Sequence, residues 1–206
     1  KNFEILYNFY CIFNKSIKIK VKFLNEEYFI IDQKKKYKFF PIERIWVYER
    51  GLIHRSKTLS KNYLLQNIKF RDNDIIIDVG ANNGDFYLCF DKKIKYYAYE
   101  PSPVVFSNLK YNVKNQNLYN LGLSNSENKK INFYLKDESG DSSILPINNY
   151  TKKISIETTN LDKELDKIQQ RIKLIKLEAE GFEPEILQGL KKHLNLIEYI
   201  TIDCGF

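Results

Sequence analysis

The sequence has no apolar run approaching the ~20 residues that span a bilayer, so no membrane-crossing helix is expected. It has only three cysteines, Cys11, Cys89 and Cys204, widely separated and without CxxC spacing. That argues against both a disulfide framework and a structural zinc site. Two of the three sit in apolar stretches, where a reduced thiol behaves as a small hydrophobe, and a cytoplasmic location is expected. The two histidines, His54 and His193, are too far apart to read as a metal pair, and no metal is expected. The opening KNFEILYNFYCIF is aromatic and helix-like, but it lacks a small-residue cleavage site and carries Glu4, so it is not read as a signal peptide. It also lacks an initiating Met, which leaves room for a true N-terminus upstream. Repeats, low-complexity linkers and a dense basic stripe are missing as well. The 33 Lys and Arg residues are scattered among 26 Asp and Glu. The net charge of +7 therefore reads as composition rather than as a nucleic-acid footprint.

What is present suits one domain plus a small appendage. Hydrophobic residues make up 43% and aromatics 15% of 206 residues, enough to build a core. Residues 15–23 alternate, with Ile17, Ile19, Val21 and Phe23 on one face and Lys18, Lys20 and Lys22 on the other, the period of a half-buried strand. A second strand is expected at 28–31 and a short helix at 60–67. Residues 1–73 are therefore taken as an N-terminal, β-containing appendage and 74–206 as the main domain. From Asp74 the pattern becomes strand–helix–strand. Strands are expected at 75–79, 95–99, 117–124, 130–136, 154–159, 172–177 and 199–202, and helices at 85–93 and 103–114. A further helix starts at Pro184 with an apolar stripe of Ile186, Leu187, Leu190 and Leu194. Lys191, Lys192 and His193 at its end suit the helix dipole. Strands alternating with helices imply a doubly wound, mostly parallel α/β sheet.

Three motifs carry chemistry. The first is Asp78-Val79-Gly80-Ala81-Asn82-Asn83-Gly84-Asp85, after an apolar strand and before a helix-length segment. Ligands of such sheets bind at the carboxyl ends of the strands. Dinucleotide binders place GxGxxG there to hold a diphosphate, whereas here the spacing is Gly-x-x-x-Gly with an acidic residue before the first glycine. That pattern suits the methionyl end of S-adenosylmethionine. Asp78 is expected to accept from its ammonium, directly or through water, and free backbone N–H groups near Gly80 and Asn82 to serve its carboxylate. The second is Glu100, 22 positions after Asp78 at the end of Tyr97-Ala98-Tyr99-Glu100-Pro101, where an acidic residue accepts from ribose hydroxyls. The third is Lys176-Leu177-Glu178-Ala179-Glu180-Gly181, two carboxylates between a buried strand and a Pro-started helix. Glu178 and Glu180 share strand parity, so both face a ligand only if the strand stops or bends between them. One is a general base, a substrate or metal ligand, or a cap for the turn at Gly181. His54, between Arg50 and Arg55, lies either at the mouth of the site or on a solvated turn.

The ordered blocks DIIIDVGANNGDF, YAYEPSP, GDSSILP, TTNLDKEL and IKLEAEGFEPEILQGL resemble the FkbM family of methyltransferases over about residues 74–206. The resemblance implies a Rossmann-like class I methyltransferase fold and S-adenosylmethionine as cofactor. It implies O-methylation of a hydroxyl on a sugar, surface-polysaccharide or small natural-product acceptor. The family signature usually reads Lys-x-Asp-x-Glu-Gly, so Glu178 stands where Asp is usual. The expected cofactor contacts are Asp78, Gly80, Ala81, Asn82, Asn83, Gly84, Glu100 and Pro101. Asp141-Ser142-Ser143 matches the family's Ser-Ser loop, which implies Ser142 near the adenine or the acceptor; alternatively the three residues only turn the chain before Pro146. Glu180 or Asp203 is the expected catalytic base or substrate ligand. The full fold of this class ends in an antiparallel pair. Thr201–Phe206 counts here as the fifth core strand, so the C-terminal hairpin is expected to be absent. Two other readings stay open: a nucleic-acid methyltransferase, and a truncated module that binds the cofactor without catalysis. A homo-oligomer is also left open.

Overall fold

The apolar run Ile75–Val79 forms a strand in which every residue is buried, as a run covered on both faces should. In the computed structural model of the chain, which describes residues 2–127, 129–136, 142–146, 148 and 150–203, this strand is the centre of a five-stranded sheet. Chain order gives α1 (Asn2–Phe13), β1 (Lys20–Leu24), β2 (Glu27–Asp32), β3 (Lys35–Lys38), α2 (Leu52–Asn62), β4 (Ile75–Val79), β5 (Lys95–Tyr99), α3 (Pro103–Asn112), β6 (Asn117–Tyr119) and β7 (Gly122–Leu123). It continues with β8 (Lys129–Leu135), β9 (Lys152–Thr159), α4 (Leu161–Ile168), β10 (Ile172–Leu177), α5 (Glu183–Gln188) and β11 (Ile197–Ile202). The sheet runs β11-β10-β4-β5-β6, and every neighbouring pair is parallel. The chain adds β5 and β6 on one side of β4, then returns to lay β10 and β11 on the other. Such a reversal opens a crevice beyond the carboxyl ends of the strands. This is the expected Rossmann-like α/β fold. Among the described residues no strand lies beyond β11, and no helix is long and apolar enough to cross a membrane.

Strand parity sorts the core into two layers. Ile75, Ile77, Val79, Ile175 and Leu177 pack with Leu161 and Leu165 of α4 and with Ile186 of α5. Ile76 and Leu174 point the other way, into a cluster with Tyr96, Leu109, Phe86, Leu59 and Tyr63. The second layer explains one difference from the sequence reading. Residues 85–93 do not form a full helix, only a 3-10 segment, Asp85–Cys89. The room beside it is filled from the N-terminal side by α2, whose Leu59, with the following Tyr63, packs on Phe86. The helix expected at 60–67 is accordingly displaced: α2 ends at Asn62, and a 3-10 turn covers Leu65–Asn67.

Further expectations are corrected. The strand expected at 117–124 is two, β6 in the main sheet and β7 in a small sheet ordered β7-β9-β8. The helix starting at Pro184 stops at Gln188. The Asp162 carboxylate takes the backbone N–H groups of Lys191 and Lys192 at 2.9–3.1 Å and turns the chain away. Leu194 is then exposed rather than part of an apolar stripe. His193 pairs with Asp166 at 2.7 Å and lies beyond the end of α5. Two elements were not anticipated: β3, whose only apolar residue is Tyr37, and α4, with Asn160 as N-cap accepting from Lys163 N–H at 2.8 Å. Before the main sheet, β1-β2-β3 form an antiparallel sheet. Asn8 of α1 exchanges two hydrogen bonds with the backbone of Val21 and covers its edge.

Candidate active site

The turn after β4 passes directly against the end of β10. Gly80 has φ +72°, and a Cβ there would lie 1.8 Å from the Glu178 carbonyl oxygen. The turn uses its own amides. Gly80 and Ala81 N–H donate to Tyr99 O at 3.0 and 3.1 Å, and Gly84 N–H donates to Ala81 O at 2.9 Å. Asn82 N–H donates to Glu100 Oε2 at 2.9 Å and Asn83 N–H to Asn82 Oδ1 at 2.8 Å. The expectation of free amides near Gly80 and Asn82 is therefore corrected, because the positive-φ turn folds its N–H groups onto β5.

Four of the residues expected to touch the cofactor face inward. Asp78, on the same face of β4 as Ile76, is fully buried. Its Oδ2 accepts a short hydrogen bond from Tyr96 OH, and its Oδ1 lies 3.0 Å from Lys176 Nζ. An ammonium in the cleft cannot reach it directly. Asn83 is also fully buried: its Nδ2 donates to Phe40 O at 2.9 Å, and its Oδ1 accepts from Asn108 Nδ2 at 2.9 Å and Phe40 N–H at 3.2 Å. Asn83 thus fastens the segment before α2 to the turn. Ala81 sits in the second core layer, and Gly84 packs against Val113 and Leu109. Beside them Asp85 accepts from Tyr37 OH, Tyr48 OH and Arg55 Nε at 2.7–2.8 Å. Burial alone would raise its pKa, but Arg55 and Arg44 outweigh that and hold it below the usual carboxylate range.

The remaining cofactor candidates and Glu180 line one cleft. Gly80, Asn82, Glu100, Pro101, Ser142 and Glu180 share it with the apolar walls Leu121, Leu123, Phe133 and Ile144. Glu100 is buried and accepts N–H bonds from Ser102 at 2.8 Å and from Asn82. Burial pushes its pKa up to about 7, although both N–H groups pull it down. Ser142 Oγ accepts from Lys136 N–H at 3.0 Å, and Ser143 Oγ donates to Glu180 O at 3.0 Å, so this loop is tied to both β8 and the turn after β10. That turn is left-handed at Glu180 (φ +51°). The strand stops at Leu177, and both Glu178 and Glu180 reach the cleft. Asp203 does not. It lines a neighbouring cavity with Arg44, Trp46, Arg55, Tyr63 and Glu178, and Glu178 is common to both spaces. Of the trio around His54, only Arg55 borders these cavities, and His54 lies within α2. Asp141 and Cys204 lie outside the described residues.

Three side chains beside the cleft have no role assigned from the sequence, although Lys176 opens the third motif. Lys176 is buried and donates to Glu178 Oε2 and Gly80 O, both at 2.8 Å, besides pairing with Asp78. Burial would lower its pKa, but the two carboxylates outweigh it and hold it raised. Tyr63 OH donates to Glu178 Oε2 at 2.8 Å. Burial would raise the Glu178 pKa, yet Lys176 and the Tyr63 hydroxyl bring it down to about 2. Arg44 borders the cleft and the neighbouring cavity. A charged residue inside the apolar run Ile172–Leu177 was the readable signal for Lys176. Tyr63 and Arg44 had none, because their placement depends on contacts with distant parts of the chain.

A family model described as the methyltransferase FkbM domain matches residues 78–204. A curated relative, "Methyltransferase 1" of Beauveria bassiana (strain ARSEF 2860), is 23% identical over 184 residues, covering 75% of this chain and 73% of the relative. No solved structure matches the chain.

Proposed function

The chain belongs to the FkbM methyltransferase family, and from that premise we propose that it transfers a methyl group from S-adenosylmethionine to a hydroxyl of a sugar-like or other small acceptor. The observation that carries the cofactor reading is Glu100. It lies at the carboxyl end of β5 beside the switch point, with apolar walls opposite it. Each of its oxygens already accepts one N–H, and a carboxylate oxygen keeps a second lone pair for a ribose hydroxyl. Leu121, Leu123, Phe133 and Ile144 suit a purine. When bound, S-adenosylmethionine supplies an electrophilic methyl group on a sulfonium.

The chain's own part is alignment and proton handling. Glu178, with its pKa near 2, is a weak base, and this leaves base catalysis to Asp203 or Glu180. Asp203 shares its cavity with Trp46, a residue 70% exposed whose indole offers an amphipathic aromatic face to the C–H side of a sugar.

The test is calorimetric titration with S-adenosylhomocysteine, with NAD as control. Glu100→Gln is expected to weaken binding about 10- to 100-fold, the worth of one lost charged hydrogen bond. Wild-type affinity should fall as pH drops through about 7, because the ionised carboxylate is the accepting form; the Gln variant should show no such step. Without ligand the sign reverses. A folded-state pKa raised above the ordinary ~4.3 makes the protein most stable below that value, and stability declines as pH rises through the folded pKa. Absence of saturable binding by the wild type, or a Gln variant within twofold of it, would overturn the reading.

A further inference from the structure

All five turn amides from Gly80 to Gly84 donate within the protein. Asp78 Oδ2 accepts from Tyr96 OH, and Oδ1, which takes no hydrogen bond among the described residues, is ion-paired with Lys176 Nζ at 3.0 Å and fully buried away from the cleft. The amino-acid end of a ligand lying over this turn must therefore be recognised by other groups. Arg44 and Glu178 border the same space above Gly80 and Asn82. The Arg44 Nε is buried and has no hydrogen-bond partner among the described residues, although buried polar atoms are ordinarily satisfied. Glu178 uses Oε2 for both Lys176 and Tyr63. Its Oε1 receives no hydrogen bond within the described residues, and the side chain is 39% exposed. An unpartnered guanidinium nitrogen and an unpartnered carboxylate oxygen thus border the same part of the cleft.

From this juxtaposition we infer that Arg44 and Glu178 form a recognition pair for an α-amino-acid group. The Arg44 guanidinium takes the carboxylate and Glu178 Oε1 the ammonium of the cofactor's methionyl end. The inference rests on the S-adenosyl reading above and deepens it. It also gives the N-terminal region a part in the site, since Arg44 lies outside residues 78–204 that match the family model. The segment carrying Arg44, Ile42–Tyr48, is positioned by the Asn83–Phe40 hydrogen bonds and by the buried Ile45 and Tyr48. The turn that supports the cofactor therefore also sets the arginine above it. A guanidinium suits a carboxylate because its planar fork binds two oxygens at once.

The experiment compares two probes by calorimetry on the full chain: S-adenosylhomocysteine, and 5′-methylthioadenosine, which keeps the nucleoside and sulfur but lacks the amino-acid end. The wild type should prefer S-adenosylhomocysteine by at least about tenfold. Arg44→Gln should lose about 10- to 100-fold on S-adenosylhomocysteine and stay within twofold on 5′-methylthioadenosine, so that the preference collapses. Arg44→Lys, which keeps the charge without the fork, should recover part of it. Retained binding of 5′-methylthioadenosine shows that the variant is folded. A Gln variant that keeps the wild-type preference, or loses both probes equally, overturns the inference while leaving the S-adenosyl reading standing. A wild type that binds neither probe removes both.

Discussion

Lys176→Met is expected to destabilise the fold by about 3–5 kcal/mol, the usual consequence of leaving one member of a buried ion pair alone. The expected loss is large because this ammonium meets four oxygens: Asp78 Oδ1 at 3.0 Å, Glu178 Oε2 at 2.8 Å, Gly80 O at 2.8 Å and Val79 O at 3.3 Å. Without it, Asp78 keeps only the Tyr96 hydroxyl, and two carbonyls at the end of β4 lose a donor. The sign of the pH effect follows. Burial already raises the Asp78 pKa even with Lys176 and Tyr96 opposing it, and removing the cation raises it further. A folded-state pKa above the unfolded ~3.9 gives stability that is complete at low pH and lost as pH rises. The deficit of the Met variant relative to wild type should therefore shrink as pH is lowered toward about 4. Adding Asp78→Asn should recover part of the loss at neutral pH, since it removes the stranded charge. Urea unfolding of the wild type, the two single variants Lys176→Met and Asp78→Asn, and the double variant measures all of this. A Met variant within about 1 kcal/mol of wild type would show that the ion pair contributes little beyond its shape.

The same pair shows how far the sequence could be read. The strands at 75–79, 95–99 and 172–177 were legible to the residue because each carries most of its apolar groups in one short run between turn residues. The chemistry of the turn after β4 was legible as a pattern, but its orientation was not. A motif records that Asp78 and Asn83 are needed, not which way they point. Parity within β4 held the answer for Asp78: it shares a face with Ile76, which packs under α2 and Tyr96, while Ile75, Ile77 and Val79 face α4. Lys173 and Lys176 sit three apart in one strand and so face opposite sides. The first meets Glu198 at the surface and the second meets Asp78 inside. Asn83 and Arg44 were beyond reach, because the Asn83–Phe40 bonds span 43 positions and no local pattern predicts them. The missing helix at 85–93 failed for the same reason: α2, from far upstream, fills the layer.

Gly80→Ala should remove cofactor binding and cost about 2–5 kcal/mol of stability, combining a left-handed residue bearing a Cβ with an overpacked contact. The methyl group would sit 1.8 Å from the Glu178 carbonyl oxygen and 3.0 Å from its carbon. Both are backbone atoms, so no side-chain rotation relieves the clash. The ends of β4 and β10 must part, which breaks the Glu178 N–H bond to Val79 O at 3.1 Å and the Lys176 bond to Gly80 O, and moves Glu178 away from the cleft. Gly84→Ala is the informative control. Gly84 has an equally unfavourable φ of +90°, but its Cβ would meet side chains, Val113 Cγ2 at 2.8 Å and Leu109 Cδ1 at 3.1 Å, on the side away from the cleft. Those can shift, so Gly84→Ala should lose about 1–3 kcal/mol and still bind S-adenosylhomocysteine within about threefold of wild type. Thermal unfolding and calorimetry on the two variants separate strain from site geometry. Equal binding losses in both would mean that the turn acts only through stability. A Gly80→Ala protein that binds as wild type does would mean that the end of β10 moves freely, and that the close approach of β4 to Glu178 does not shape the site.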